Sequence, residues 1–209
     1  VANTSNRGLC GAFNSNVIKE VKNRTLFYEG KQVDVFAIGK KGNDALSKTV
    51  TVIENQSSIF DDLSFENVAV IADVLTQKFI SGEYDKIELV YNQFKNAAVQ
   101  FITTEQLLPV AKVADDLVAD TQTDYILEPS QEDIVTELIP KSIKIQVYKA
   151  VLDSHASEHG ARMTAMDKAT ENAGDLIKAL KLSYNQARQA AITTELTEIV
   201  SGAAALSNG

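Results

Sequence analysis

A chain of 209 residues with 44% hydrophobic content is long enough for one moderate domain with a real core plus an extension. Its net charge of −8 argues against nucleic acid or an anionic membrane surface as a direct partner. Cys10 is the only cysteine, which excludes an internal disulfide and fits a reducing compartment. No run approaches the roughly 20 apolar residues of a membrane span and no signal peptide is visible, so membrane association is expected only through partners. The charge is uneven: residues 1–130 hold 18 acidic against 12 basic side chains, and the remainder is nearly balanced.

In chain order, the first feature is a glycine-bearing turn around Gly8 and Gly11, followed by a helical segment from Asn14 to about Phe27 with Val17, Ile18 and Val21 on one face. Residues 33–38 are rich in β-formers and lead to Gly39 and Gly42, read as a turn; residues 49–53 form a shorter β-branched run. Ser64 is a good N-cap for a helix through Ile80, whose apolar positions Val68, Ile71, Ala72, Leu75 and Phe79 keep helical spacing; Gly82 is the expected stop. Residues 86–94 are the clearest strand, 99–108 a plausible next one, and Tyr125, Ile126 and Leu127 an edge strand ahead of Pro129. Strands separated by helices of this length predict an α/β fold, a mainly parallel Rossmann-like sheet covered on both faces.

From about Gln131 onward the pattern changes to one very long helix, with its single proline, Pro140, near the start. Met163, Met166, Thr170, Ala173, Ile177, Leu180, Tyr184, Ala187 and Ala191 recur at alternating three- and four-residue steps, a coiled-coil seam of about four heptads. At ~1.5 Å per residue such a helix is roughly 100 Å long, more than a small core can cover. The end of the helix is almost uncharged, with Ile199, Val200, Ala203, Ala204 and Leu206 in a run that predicts either an interaction tip or a frayed terminus. The expected division is a head, residues 1–130, and a shaft, residues 131–209.

Three stretches carry a resemblance. Ala156-Ser157-Glu158-His159-Gly160-Ala161-Arg162-Met163-Thr164-Ala165-Met166 resembles the ASE-x-x-ARM-x-AM signature of the gamma subunit of F-type ATP synthases, of bacterial type. Residues 184–206, YNQARQAAITTELTEIVSGAAAL, resemble that family's ending. Thr4-Ser5-Asn6-Arg7-Gly8-Leu9-Cys10-Gly11-Ala12-Phe13-Asn14 resembles its RGLCG turn. The three lie in the family's order, and the resemblance runs through the whole chain.

The resemblance implies a Rossmann-like head, the foot of a central stalk, and a rotor role without bond chemistry or cofactor: ion-driven rotation is coupled to conformational cycling of the catalytic beta subunits. It implies as partners the alpha and beta subunits of the α3β3 ring, the epsilon subunit and the membrane c-ring, with a peripheral location on the cytoplasmic face of the bacterial inner membrane. Arg188, Gln189, Thr193 and Glu195 then match a stretch that contacts beta-subunit loops, with Arg162 near another such loop. Ile199, Val200, Ala203, Ala204 and Leu206 match a tip that turns in an apolar collar. Family members carry a long helix ahead of the first strand, whereas this chain opens at Val1, so the expectation is a truncated form whose shaft helix is without its own N-terminal partner helix.

Two readings compete with parts of this account. The turn at Gly8 and Gly11 precedes a helix, where a phosphate could sit, but G-x-G-x-x-G and Walker spacings are absent, and a structural turn is the simpler reading. His155-Ala156-Ser157-Glu158-His159 fits the H-x-x-E-H pattern of a zinc metallopeptidase, with two histidines at i and i+4 and Glu158 as base. Against it, the chain has no third histidine, the helix around the motif has coiled-coil character, and the signature already accounts for Ala156, Ser157 and Glu158.

Overall fold

The computed structural model describes residues 1–110 and 131–207. The edge strand expected at Tyr125, Ile126 and Leu127 lies outside the described residues. The chain divides into two compact units, Val1–Ala165 and Met166–Gly209.

The first unit is built on a five-stranded sheet: β1 (Ala2–Asn3), β2 (Asp34–Ile38), β3 (Thr51–Asn55), β4 (Ile87–Phe94) and β5 (Gln100–Leu108). The spatial order is β3-β2-β1-β4-β5. β1 runs parallel to both β2 and β4, and β2 parallel to β3, through helical crossovers α1 (Phe13–Phe27), α2 (Lys40–Leu46) and α3 (Phe65–Ile80). The last pair, β4 with β5, is antiparallel. The five residues between them are too few for a crossover, which needs a dozen or more, so a hairpin is the only geometry open.

Strand alternation distributes the core between two faces. Phe36 and Ile38 of β2 and Ile87, Leu89 and Tyr91 of β4 point to one face, where they meet Val68, Ile71, Ala72 and Leu75 of α3. The same cluster receives Ile143, Val147, Ala150 and Val151 from α4 (Gln131–Ser207). On the other face Val35 and Val90 pack against Val17 and Val21 of α1 and Leu46 of α2. Each fully buried aliphatic side chain contributes ~1.5–3 kcal/mol through removal from water. A charge at Val147, 1% exposed, would break the packing of α4 on the sheet.

Most expected elements are present within a residue or two. Ser64 caps α3, its hydroxyl accepting from the Asn67 N–H at 3.3 Å, and Gly82 (φ +74°) follows that helix. The turn expected at Gly39 and Gly42 is corrected: Gly39 (φ +102°) makes the turn, but Gly42 lies inside α2. A Cβ at Gly39 would stand 2.2 Å from the Thr4 carbonyl oxygen, so close approach as well as backbone angle demands glycine there. Thr4 binds the two segments together, its hydroxyl accepting from the Gly42 N–H at 2.9 Å.

Within the second unit α4 continues as a regular helix, and its large apolar side chains face solvent. Ile177, Leu180 and Tyr184 are all more than half exposed.

Candidate functional site

Along α4 the buried stripe of Ile143, Val147, Ala150 and Val151 continues into Ser154, Ser157, Glu158 and Gly160, all buried. Small residues there bring the helix close to the β4–β5 hairpin. A Cβ at Gly160 would lie 2.9 Å from Ala97 Cα, and the Thr164 hydroxyl donates to the Ala97 carbonyl at 3.1 Å. The Ser157 hydroxyl donates to the Asn92 carbonyl at 2.9 Å, satisfying both groups in a dry setting. Ser157, Gly160 and Thr164 of the signature thus each have a local task.

One helical turn on, the Arg162 guanidinium donates to Glu158 Oε1 at 2.6 Å. Its other donors face the carbonyls of Arg7 and Gly8 at 3.5 Å, the outer limit of a hydrogen bond. Arg162 therefore joins the shaft helix to the glycine-bearing turn, residues 154 or more positions apart in sequence. The carboxylate of Glu158, with only 9% of its side chain exposed, has a cation within bonding distance, as a buried charge requires.

The turn itself is held from inside. The Asn14 side chain accepts from the Ser5 N–H at 2.9 Å and donates to Ser5 Oγ at 2.8 Å and Cys10 Sγ at 3.2 Å. Gly11 has φ +57° and Leu9 has φ +64°, while Gly8 is outside the left-handed region; the unusual backbone of the turn falls on Leu9 and Gly11. Leu9 is 76% exposed, so the turn presents an apolar apex and the exposed Arg7. The side chains of Ser5, Cys10 and Asn14 in the turn are engaged with one another.

The two histidines lie one turn apart, with ring centroids 4.5 Å apart, and His155 stacks on Phe60 at 5.6 Å. Burial, then neighbouring His159, lowers the pKa of His155. Glu158, the required general base of a peptidase, is bound by Arg162, and among the described residues no group of three or more His, Cys, Asp or Glu side chains could hold a metal. The metallopeptidase reading has no support.

A polar cluster that no motif announced lies on the opposite face of the sheet. Glu88 of β4 receives Arg24 Nε at 3.0 Å, Arg24 Nη2 at 2.6 Å, the Tyr28 hydroxyl at 2.6 Å and Lys86 at 2.8 Å. Burial works to raise its pKa, but the hydrogen bonds from Arg24, Lys86 and Tyr28 outweigh it and hold the carboxyl at about 2. The sequence signal for this cluster is weak, because Arg24 and Tyr28 lie 64 and 60 positions from Glu88.

The other expected site residues lie in the second unit. Arg188, Gln189, Thr193 and Glu195 are exposed, the Thr193 hydroxyl donating to the Gln189 carbonyl at 2.9 Å. The tip residues Ile199, Val200, Ala203, Ala204 and Leu206 are exposed, as are the seam residues Met166, Ala173, Ala187 and Ala191; Met163, in the first unit, is half exposed.

Against this geometry, the profile of the ATP synthase family matches residues 1–206. The ATP synthase gamma chain of Flavobacterium psychrophilum is 69% identical over 206 residues, covering 99% of this chain and 72% of that one. The chain belongs to the ATP synthase gamma-chain family. The gamma chain of a Geobacter species is 47% identical over 95% of this chain and 70% of its own. Among solved structures, the central stalk and c-ring assembly of the Tetrahymena thermophila mitochondrial ATP synthase contains a chain similar at TM-score 0.60 and 30% identity, covering 80% of this chain and 74% of that one. A chain of the Euglena gracilis mitochondrial ATP synthase shares the fold at TM-score 0.72 and 24% identity, covering 97% and 70%. Among the described residues no helix is long and apolar enough to cross a membrane.

Proposed function

We propose that this gamma chain acts as the central-stalk rotor subunit of an F-type ATP synthase, coupling ion-driven rotation to the binding states of catalytic beta subunits while doing no bond chemistry itself. The observation that carries the proposal is family membership over residues 1–206, together with a long helix whose apolar seam faces solvent. Such a surface calls for a helical partner, and in an intact stalk that partner is the N-terminal helix of the same subunit.

In this account Arg188, Gln189, Thr193 and Glu195 engage loops of the beta subunits. Arg162, while paired with Glu158, lies near another beta-subunit loop. A guanidinium offers a directional fork, attractive to one beta conformation and unpaired in the others, so site state and rotor angle become linked. Ile199, Val200, Ala203, Ala204 and Leu206 turn within an apolar collar of alpha and beta subunits, where weak non-directional contacts avoid locking one angle. The sheet-bearing unit grips the epsilon subunit and the c-ring, which places the subunit peripherally at the cytoplasmic face of the bacterial membrane.

The test is capture of a tagged epsilon subunit from the same organism by this chain. Binding with micromolar or better affinity supports the stalk-foot role; absence of capture counts against it.

A further inference from the structure

His155 and His159 form a constellation in the first unit that the rotor account leaves without a task. Both project from α4 one turn apart, and their Nε2 atoms stand 3.2 Å apart. Two imidazole nitrogens bound to one divalent ion at about 2.0–2.1 Å, with an angle between 90° and 109°, are roughly 2.9–3.4 Å apart. The observed separation lies inside that window.

Two further features suit a metal. The His155 ring is fixed by stacking on Phe60, 19° from parallel, so little side-chain freedom remains to be lost. Its Nδ1 is buried without a hydrogen-bond partner, so ligation through Nε2 leaves that N–H unpaired and holds the affinity below that of a site whose outer N–H has an acceptor. His159 is exposed, so an ion can arrive from solvent and keep water in its remaining positions. Glu158, the nearest carboxylate in sequence, is neutralised by Arg162, and the donor set is two neutral imidazoles. That set favours nickel, copper or zinc over magnesium or calcium, which prefer oxygen ligands.

We propose that His155 and His159 form a two-ligand site for a borderline divalent transition-metal ion, chelated through the two Nε2 atoms. No catalysis follows from it. The ion replaces the contact between the two Nε2 atoms, each neutral ring then carrying its proton at Nδ1, and it clamps one turn of α4 beside the Ser157 and Gly160 contacts.

The test is calorimetric titration of the tag-free chain with nickel chloride alone at neutral pH. One ion per chain is expected, reversed by a chelator, with affinity falling by roughly tenfold or more in His159→Ala and in His155→Ala. Helical circular dichroism of each variant checks folding, and the exposed His159→Ala is the variant least exposed to that risk. Copper should bind more tightly than nickel, following the general order for nitrogen ligands. No binding to the parent chain, or equal binding to parent and His159→Ala, overturns the proposal.

Discussion

Arg162 lies 2.6 Å from Glu158 on the same helix, and the same guanidinium faces the backbone carbonyls of the turn at Arg7 and Gly8. The pair therefore sets where the turn sits on the shaft helix. Arg162→Ala leaves a buried carboxylate without its cation and should destabilise the first unit by about 1–3 kcal/mol, less than for a fully dry pair because Arg162 keeps some contact with water. Urea unfolding of Arg162→Ala, Glu158→Ala and the double variant checks it. The double variant should cost less than the sum of the two.

Gly160→Ala should be nearly as disruptive through sterics alone. The added Cβ meets Ala97 Cα at 2.9 Å and Ala97 O at 3.2 Å, and backbone atoms cannot swing aside. A loss of about 1–3 kcal/mol is expected, seen as a lower Tm. On an open helix face the same change is stabilising, so the sign of the shift distinguishes the two situations.

Much of this fold is legible in the sequence, and the exceptions have physical causes. α3 declares itself through Ser64 and the spacing of Val68, Ile71, Ala72 and Leu75, because one face must meet the sheet. β4 declares itself through the consecutive β-formers Leu89, Val90 and Tyr91, which are buried because both its faces are covered there. By contrast β1 has only Ala2 and Asn3, too short for any periodicity, although it holds the centre of the sheet. α2 buries only Gly42 and Leu46, so the run Lys40-Lys41-Gly42-Asn43-Asp44 reads as a turn. In the site, Arg162 and the turn are each visible as motifs, yet their contact depends on tertiary packing and has no local trace. The Arg24–Glu88 pair is invisible for the same reason.

The Glu88 cluster predicts an acid-sensitive component of stability. Its folded-state pKa is depressed from 4.5 to about 2, so its contribution is fully present above 4.5 and is lost as pH falls through about 2. About 1–2 kcal/mol should disappear across that window, allowing for solvent near the carboxylate. Glu88→Gln should be less stable at neutral pH and show a flatter dependence between those values. A variant whose denaturant midpoint follows the parent curve throughout would remove Glu88 from the account.

In the second unit, Arg188→Ala combined with Gln189→Ala in the full-length subunit should lower ATPase turnover of the assembled complex while assembly is retained. Both side chains are exposed on α4, so the change should leave the stability of the isolated chain within about 0.5 kcal/mol. Unchanged turnover in a correctly assembled complex would remove this pair from the beta-subunit contact.

The central claim is that the subunit turns. The direct measurement is ATP-driven rotation of a probe fixed to the first unit, in a surface-held α3β3 ring assembled with the full-length subunit carrying this sequence. Unidirectional full turns are predicted. Sustained ATP hydrolysis with a stationary probe would contradict the rotor role.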